Sequence, residues 1–153
     1  MQNNKELTGV LLMTYGSATV PEQVREYFEH IYRGAAPETL VQDFEHRYRM
    51  VGRSRLVEIT KQQAALLQKQ LGKNYVVRAA MRHSAPFTAG AVAECKAAGA
   101  TKLVGVILSP QYSAFIMGGY RTAFAEAALQ NGFLEKDISI ARPWPTEKHF
   151  IQL

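Results

Sequence analysis

Three short apolar runs, each closed by a polar turn and separated from the next by helical spacing, constrain this chain more than any other feature. Thr8 to Thr14 reads TGVLLMT and stops at Tyr15-Gly16-Ser17. Tyr75 to Met81 reads YVVRAAM, and Leu103 to Leu108 reads LVGVIL. Runs this short and apolar, bounded by turn residues, read as buried strands. Asp137 to Ala141, DISIA, reads as a fourth.

Between the runs, apolar residues recur at helical intervals. Thr19-Val20-Pro21-Glu22 reads as a helix start: a capping residue, a proline in the first turn and a glutamate three residues on. Val24, Tyr27, Phe28, Ile31 and Tyr32 then share one face, and Gly34 ends the helix. Pro37-Glu38 opens a second helix carrying Val41, Phe44, Tyr48 and Val51, broken at Gly52. A third runs from about Arg55 to Leu71, with Leu56, Ile59, Leu67 and Leu71 as its apolar stripe. Two more are expected, from Pro86 to about Ala98 and from about Gly119 to Gln130. The order is a strand, three helices, then strand, helix, strand, helix, strand. That order implies an α/β domain with a parallel sheet covered on both faces, and 153 residues suit one such domain over 1–153. Ligands of such sheets lie beyond the carboxyl ends of the strands. Function is therefore sought at Tyr15-Gly16-Ser17, Arg82-His83-Ser84 and Pro110-Gln111-Tyr112-Ser113.

Composition excludes several classes. One cysteine, Cys95, provides neither a disulfide framework nor a zinc site, and an iron–sulfur cluster would need four thiolates. Beside Val92 on its helix, Cys95 reads as a buried structural thiol. No apolar stretch approaches the roughly 20 residues of a membrane helix. Met1 to Glu6 lacks a charged-then-apolar leader pattern, so a cytoplasmic location is expected. Lys and Arg outnumber Asp and Glu by 18 to 13, a formal charge of +5. That excess suits nucleic acid, a membrane surface or a polycarboxylate, and equally a solvated basic face.

No G-x-G-x-x-G, P-loop or G-x-S-x-G pattern is present, and no aromatic-basic platform for nucleic acid. The histidines at 30, 46, 83 and 149 show no metal-binding spacing. Tyr15, at the mouth of a buried strand, is either a core residue with a wet hydroxyl or a phenol aimed at a ligand or metal. His83 is either a satisfied structural histidine or a functional one. Arg47, Arg53 and Arg55 flank the Gly52 break as solvated charges or as a clamp for carboxylates.

Five segments in order resemble the ferrochelatases. They are Gly9 to Gly16 (GVLLMTYG), His30 to Gly34 (HIYRG), Arg47-Tyr48, His83 to Phe87 (HSAPF) and Leu108 to Ser113 (LSPQYS). The resemblance runs from about Thr8 to Ile151 and is nearer to the coproporphyrin III type than to the protoporphyrin IX type. It implies a doubly wound, flavodoxin-like four-stranded parallel sheet, one half of a two-domain chelatase that inserts Fe2+ into a porphyrin in haem biosynthesis. The family's second domain, which carries a histidine and a glutamate for iron or pyrrole protons, has no counterpart in this chain. By resemblance, Tyr15 is the axial ligand of the metallated porphyrin, and His83 is a cleft residue with a catalytic role. Tyr32, Arg33, Arg47, Tyr48, Ser54 and Tyr120 match positions at the porphyrin edge and its propionates. Tyr32 stands where relatives often have arginine, and Gly52-Arg53-Ser54-Arg55-Leu56 replaces the usual G-G-x-S-P-L. The substrates implied are Fe2+ and a porphyrin. The partner is a complementary C-terminal half, or a second copy in the manner of short homodimeric chelatases. A non-catalytic tetrapyrrole or haem-binding module is the reading from a different class.

Overall fold

The structure is a computed structural model that describes residues 6–152. The leader expectation rests mostly on residues 1–5, and the end of the chain on 153; both lie outside the described residues. Four strands, β1 (Thr8–Thr14), β2 (Tyr75–Met81), β3 (Lys102–Ile107) and β4 (Ile138–Ile140), form an all-parallel sheet in the order β2-β1-β3-β4. Among the described residues six α-helices accompany it: α1 (Val24–Tyr32), α2 (Glu38–Val51), α3 (Leu56–Leu71), α4 (Thr88–Ala97), α5 (Ala114–Gln130) and α6 (Lys148–Ile151).

Alternation along the strands divides the core between two faces. Leu11 and Met13 of β1 point to one side, where Val92 and Cys95 of α4 and Met117, Phe124 and Ala128 of α5 cover them. Val10 and Leu12 point to the other side, against Val57, Ala64 and Leu67 of α3. A third cluster, Val24 and Phe28 of α1 with Val41 and Phe44 of α2, joins the first two helices to each other. Cys95 is fully buried. The chain leaves β1 toward β2 on one side and β3 toward β4 on the other, so the strand order switches between β1 and β3. The carboxyl ends of those two strands are where a sheet of this class leaves a crevice.

Several sequence expectations need correction. The first helix begins at Val24 after a 3-10 turn at Pro21–Gln23. Thr19 receives its reciprocal contact not from Glu22 but from Gln23, whose Oε1 accepts the Thr19 N–H at 2.9 Å. That helix ends with Arg33 itself in the left-handed region (φ 54), and Gly34 follows it. Helix α4 starts at Thr88 rather than Pro86, because Phe87 remains extended and bridges to Met81. Strands β3 and β4 each differ by a residue or two from the runs read as strands.

Two differences matter for the site. Helix α3 turns Val57, Thr60, Ala64 and Leu67 to the sheet instead of the Leu56, Ile59, Leu67 and Leu71 stripe. The small Thr60 and Ala64 let the helix come close, and the Thr60 hydroxyl is satisfied by donating to the Leu56 carbonyl at 2.8 Å. Leu56 and Ile59 are thereby left exposed at the strand ends. Helix α5 starts five residues before the expected Gly119, capped by Ser113, whose Oγ accepts the Ile116 N–H. Gly118 and Gly119 lie inside its second turn.

Candidate active site

Parallel register builds the site. Thr14 is level with Met81 across the β1–β2 ladder, and Met13 with Ile107 across β1–β3. The ladder continues past the strands: Arg82 N–H donates to the Thr14 carbonyl and His83 N–H to the Tyr15 carbonyl, both at 3.0 Å. Tyr15 and His83 are thus held side by side, with ring centroids 4.5 Å apart. The turn after Tyr15 is fixed as well. Gly16 has φ +89°, and a Cβ there would lie 2.5 Å from Ser84 Oγ. The Tyr27 hydroxyl donates to the Gly16 carbonyl at 3.0 Å, and burial pushes its pKa up.

A crevice of about 770 Å³ opens over the switch point, within the roughly 300–1,000 Å³ range of small-molecule sites. Its polar lining includes Tyr15, Arg82, His83 and Tyr120, with Gln63 and Ser109. Its apolar lining includes Ile31, Leu56, Ile59, Phe115 and Ile116. Tyr15 is 39% exposed and faces this space. Tyr120 is buried, and its hydroxyl is pushed up to about 12, chiefly by burial. Phe115, which also lines the crevice, is 94% exposed.

Among the lining residues Arg82 carries the one full charge. No carboxylate of the described residues lies within ion-pair distance of it. Its guanidinium lies 6.0 Å from the Tyr120 ring centroid and against Gly119, where a Cβ would overlap it. On the far side of His83 is a second pocket of about 150 Å³, which Glu26, Tyr27 and Phe87 also line.

The remaining residues singled out in the sequence lie outside the crevice lining. Ile31 lines it, whereas its neighbours Tyr32 and Arg33 do not. Tyr32 stacks on Phe28 at 6.0 Å. Arg47 pairs with Asp43 at 2.7 Å and lies over the Phe44 ring. Arg53 and Arg55 both pair with Glu58, at 3.5 and 3.1 Å. Ser54 Oγ is 2.9 Å from Ser17 Oγ, two residues beyond Tyr15. Burial raises the Tyr48 hydroxyl, and the Ser54 and Ser17 hydroxyls partly offset this. Among the described residues no three His, Cys, Asp or Glu side chains converge as a metal cage. No helix among them is long and apolar enough to cross a membrane.

Sequence reasoning missed two site residues. Arg82 was in view only as part of its strand-end segment; its adjacency to His83 at the end of β2 was the available signal. His30 gave no local signal, because it meets His83 across 53 residues, Nδ1 to Nδ1 at 3.0 Å.

His83 is held neutral. Burial first, then the Arg82 charge and His30, lower its pKa from the ordinary 6.5 to about 4. A group depressed in the folded state takes up its proton on unfolding. The stability it contributes is therefore complete above about pH 6.5 and is lost as pH falls toward 4. Denaturant unfolding at pH 7 and pH 4.5 is expected to show wild type losing more stability than His83→Gln. The excess, discounted for solvent screening, is on the order of 1 kcal/mol. Equal losses in the two proteins contradict this assignment.

The fold defines a doubly wound α/β protein with a crevice at the switch point, walled by a phenol, a neutral imidazole and a guanidinium. The family model described as Ferrochelatase matches residues 7–153, and the chain belongs to the ferrochelatase family. It is 32% identical over 155 residues to the coproporphyrin III ferrochelatase of Bacillus subtilis (strain 168), covering 97% of this chain and 49% of that protein. Coproporphyrin III ferrochelatase 1 of Bacillus anthracis is 33% identical over 155 residues, with the same coverage. The coproporphyrin III ferrochelatase of Streptococcus pneumoniae serotype 4 is 32% identical over 124 residues, 79% of this chain and 34% of that protein. The chain spans about half the length of most of these relatives.

Proposed function

We propose that this chain forms the porphyrin-binding wall of a metal chelatase that inserts Fe2+ into coproporphyrin III. The observation that carries the reading is the exposed Tyr15 phenol, set beside a neutral His83 at the mouth of a crevice lined with apolar and aromatic side chains. An apolar, aromatic cleft suits a flat macrocycle, and the lone cation Arg82 suits a carboxylate on its edge. The substrate assignment follows the names of the relatives; protoporphyrin IX is the alternative that a competition titration separates.

Metallation releases two pyrrole protons as Fe2+ gains its bonds to the ring nitrogens. In this reading Tyr15 approaches the metal from one face with the neutral His83 ring beside it, and the complementary half, whose histidine and glutamate the family resemblance supplies, accepts both protons from the other. Tyr120, Tyr48, Ser54, Arg33, Arg47 and Tyr32 serve the macrocycle edge and its carboxylates. Gripping the edge supplies binding energy that can distort the ring, on the order of 1–5 kcal/mol. The exposed Phe115, Ile116, Leu56 and Ile59 call for an opposite wall. We assign that wall to a complementary half, with a second copy as the other outcome of size-exclusion chromatography. Iron insertion by the chain alone is expected to stay near the uncatalysed rate.

Titration with metal-free coproporphyrin III and with its ferric complex tests the reading. Both are expected to bind. Tyr15→Phe should leave the metal-free porphyrin nearly unaffected while abolishing the tyrosinate-to-iron charge-transfer band of the ferric complex. Failure of wild type to bind the porphyrin, or a band unchanged in Tyr15→Phe, refutes it.

A further inference from the structure

His30 on α1 and His83 after β2 meet nearly edge to face, ring centroids 5.2 Å apart and 79° between planes. The His30 ring also stacks on Phe87, centroids 5.1 Å apart, so its orientation is fixed. A contact of 3.0 Å between two Nδ1 atoms constrains the protons. With both rings neutral, one Nδ1 must carry the hydrogen and the other must offer its lone pair.

Two assignments satisfy that contact, and the other ring nitrogens choose between them. His83 Nε2 is buried and has no hydrogen-bond partner. If His83 accepted at Nδ1, its own proton would be on Nε2, an N–H sealed from water with nothing to receive it. A buried N–H without an acceptor is rarer in folded proteins than a buried acceptor without a donor, so this assignment is the less favourable one. If His83 donates from Nδ1, its Nε2 is a bare lone pair. The matching proton of His30 is then on Nε2 of an exposed ring, where water can accept it.

We infer that His30 is a positioning residue: it accepts the Nδ1 proton of His83 and fixes that ring beside Tyr15 in the Nδ1–H tautomer, with Nε2 unprotonated and shielded from water. The tautomer does not rest on the proposed function.

The experiment is long-range 1H–15N correlation on the full chain with 15N-labelled histidine, with no porphyrin present, at a pH where His83 is neutral. His83→Gln identifies the His83 signals by their loss. Wild type should show a bare Nε2 and a protonated Nδ1 at His83, and the complementary bare Nδ1 and protonated Nε2 at His30, whose signals His30→Ala identifies by their loss. The His83 Nδ1 resonance should move in His30→Ala, which removes its acceptor, and return toward its wild-type position in His30→Gln, whose amide oxygen can accept from Nδ1–H. A protonated Nε2 at His83, a protonated Nδ1 at His30, or a His83 Nδ1 resonance indifferent to His30→Ala overturns the inference. Porphyrin titration of the same sample reports separately on the proposed function, so failure of one is distinguishable from failure of the other.

Discussion

Gly9→Leu is expected to lower stability by about 3 kcal/mol, the upper part of the usual range for overpacking a core. Gly9 lies in the central strand β1, level with Val76 and Leu103 on the two flanking strands. A Cβ placed there would lie 2.6 Å from Leu103 Cδ2 and 2.9 Å from Cys95 Cβ. Leu103 is fully buried and has nowhere to turn, and Cys95 is carried by the backbone of α4. The side chain at position 9 is therefore missing because α4 packs down on the sheet. Elsewhere in a strand, replacing glycine by a residue with a side chain would gain roughly 0.5–1 kcal/mol from the unfolded state. Here the clash reverses the sign: Gly9→Ala should already destabilise, and Gly9→Leu more so. For a domain of this size, 3 kcal/mol corresponds to a fall in Tm of roughly 6–12 °C. A melting temperature for Gly9→Ala equal to or above wild type would show that α4 can retreat.

The same steric relation explains what was legible in the sequence and what was not. Strand β1 was readable because burial on both faces leaves a continuous apolar run, and register then carries Tyr15 to the mouth of the sheet. The helix order gave the parallel sheet, because parallel neighbours need crossovers. The α3 stripe was misread because the chain puts its larger residues, Leu56 and Ile59, toward the crevice and its small ones, Thr60 and Ala64, toward the sheet. An apolar count cannot separate a face that packs on the sheet from one that lines an open crevice. Helix α5 was misread for a related reason. Gly118-Gly119 costs roughly 1 kcal/mol per residue in a helix interior, and only the tertiary position of Arg82 gives Gly119 a purpose. The arginines around Gly52 drew notice by clustering in sequence, yet Arg53 and Arg55 share Glu58. Arg82, isolated in sequence, is the cation that faces the crevice. Contacts between residues far apart in the chain, such as His30 with His83, leave no periodic trace at all.

Arg82→Met is expected to weaken coproporphyrin III binding by roughly 10- to 150-fold, the equivalent of losing a charged hydrogen bond worth about 1.5–3 kcal/mol. The magnitude follows from position. The guanidinium is partly buried beside Tyr120 and borders the crevice with no carboxylate among the described residues to neutralise it. A ligand carboxylate therefore meets a cation whose hydration is already reduced and displaces no existing ion pair. Methionine keeps much of the length and apolar contact but removes the charge, so loss of packing contributes little. Arg82→Lys should be intermediate, since an ammonium cannot make the paired contact. Gly119→Leu should mimic Arg82→Met, because any side chain at 119 overlaps the guanidinium and must expel it. Gly118→Leu, one residue away with open space around its Cβ position, should bind as wild type does. The double variant Arg82→Met/Gly119→Leu should be no weaker than either single one, because both remove the same interaction. A porphyrin without carboxylates should bind all of these proteins about equally, which separates charge recognition from a deformed crevice. If Arg82→Met binds coproporphyrin III within about twofold of wild type, less than 0.5 kcal/mol, the carboxylate is held elsewhere and the crevice recognises the macrocycle by its apolar faces alone.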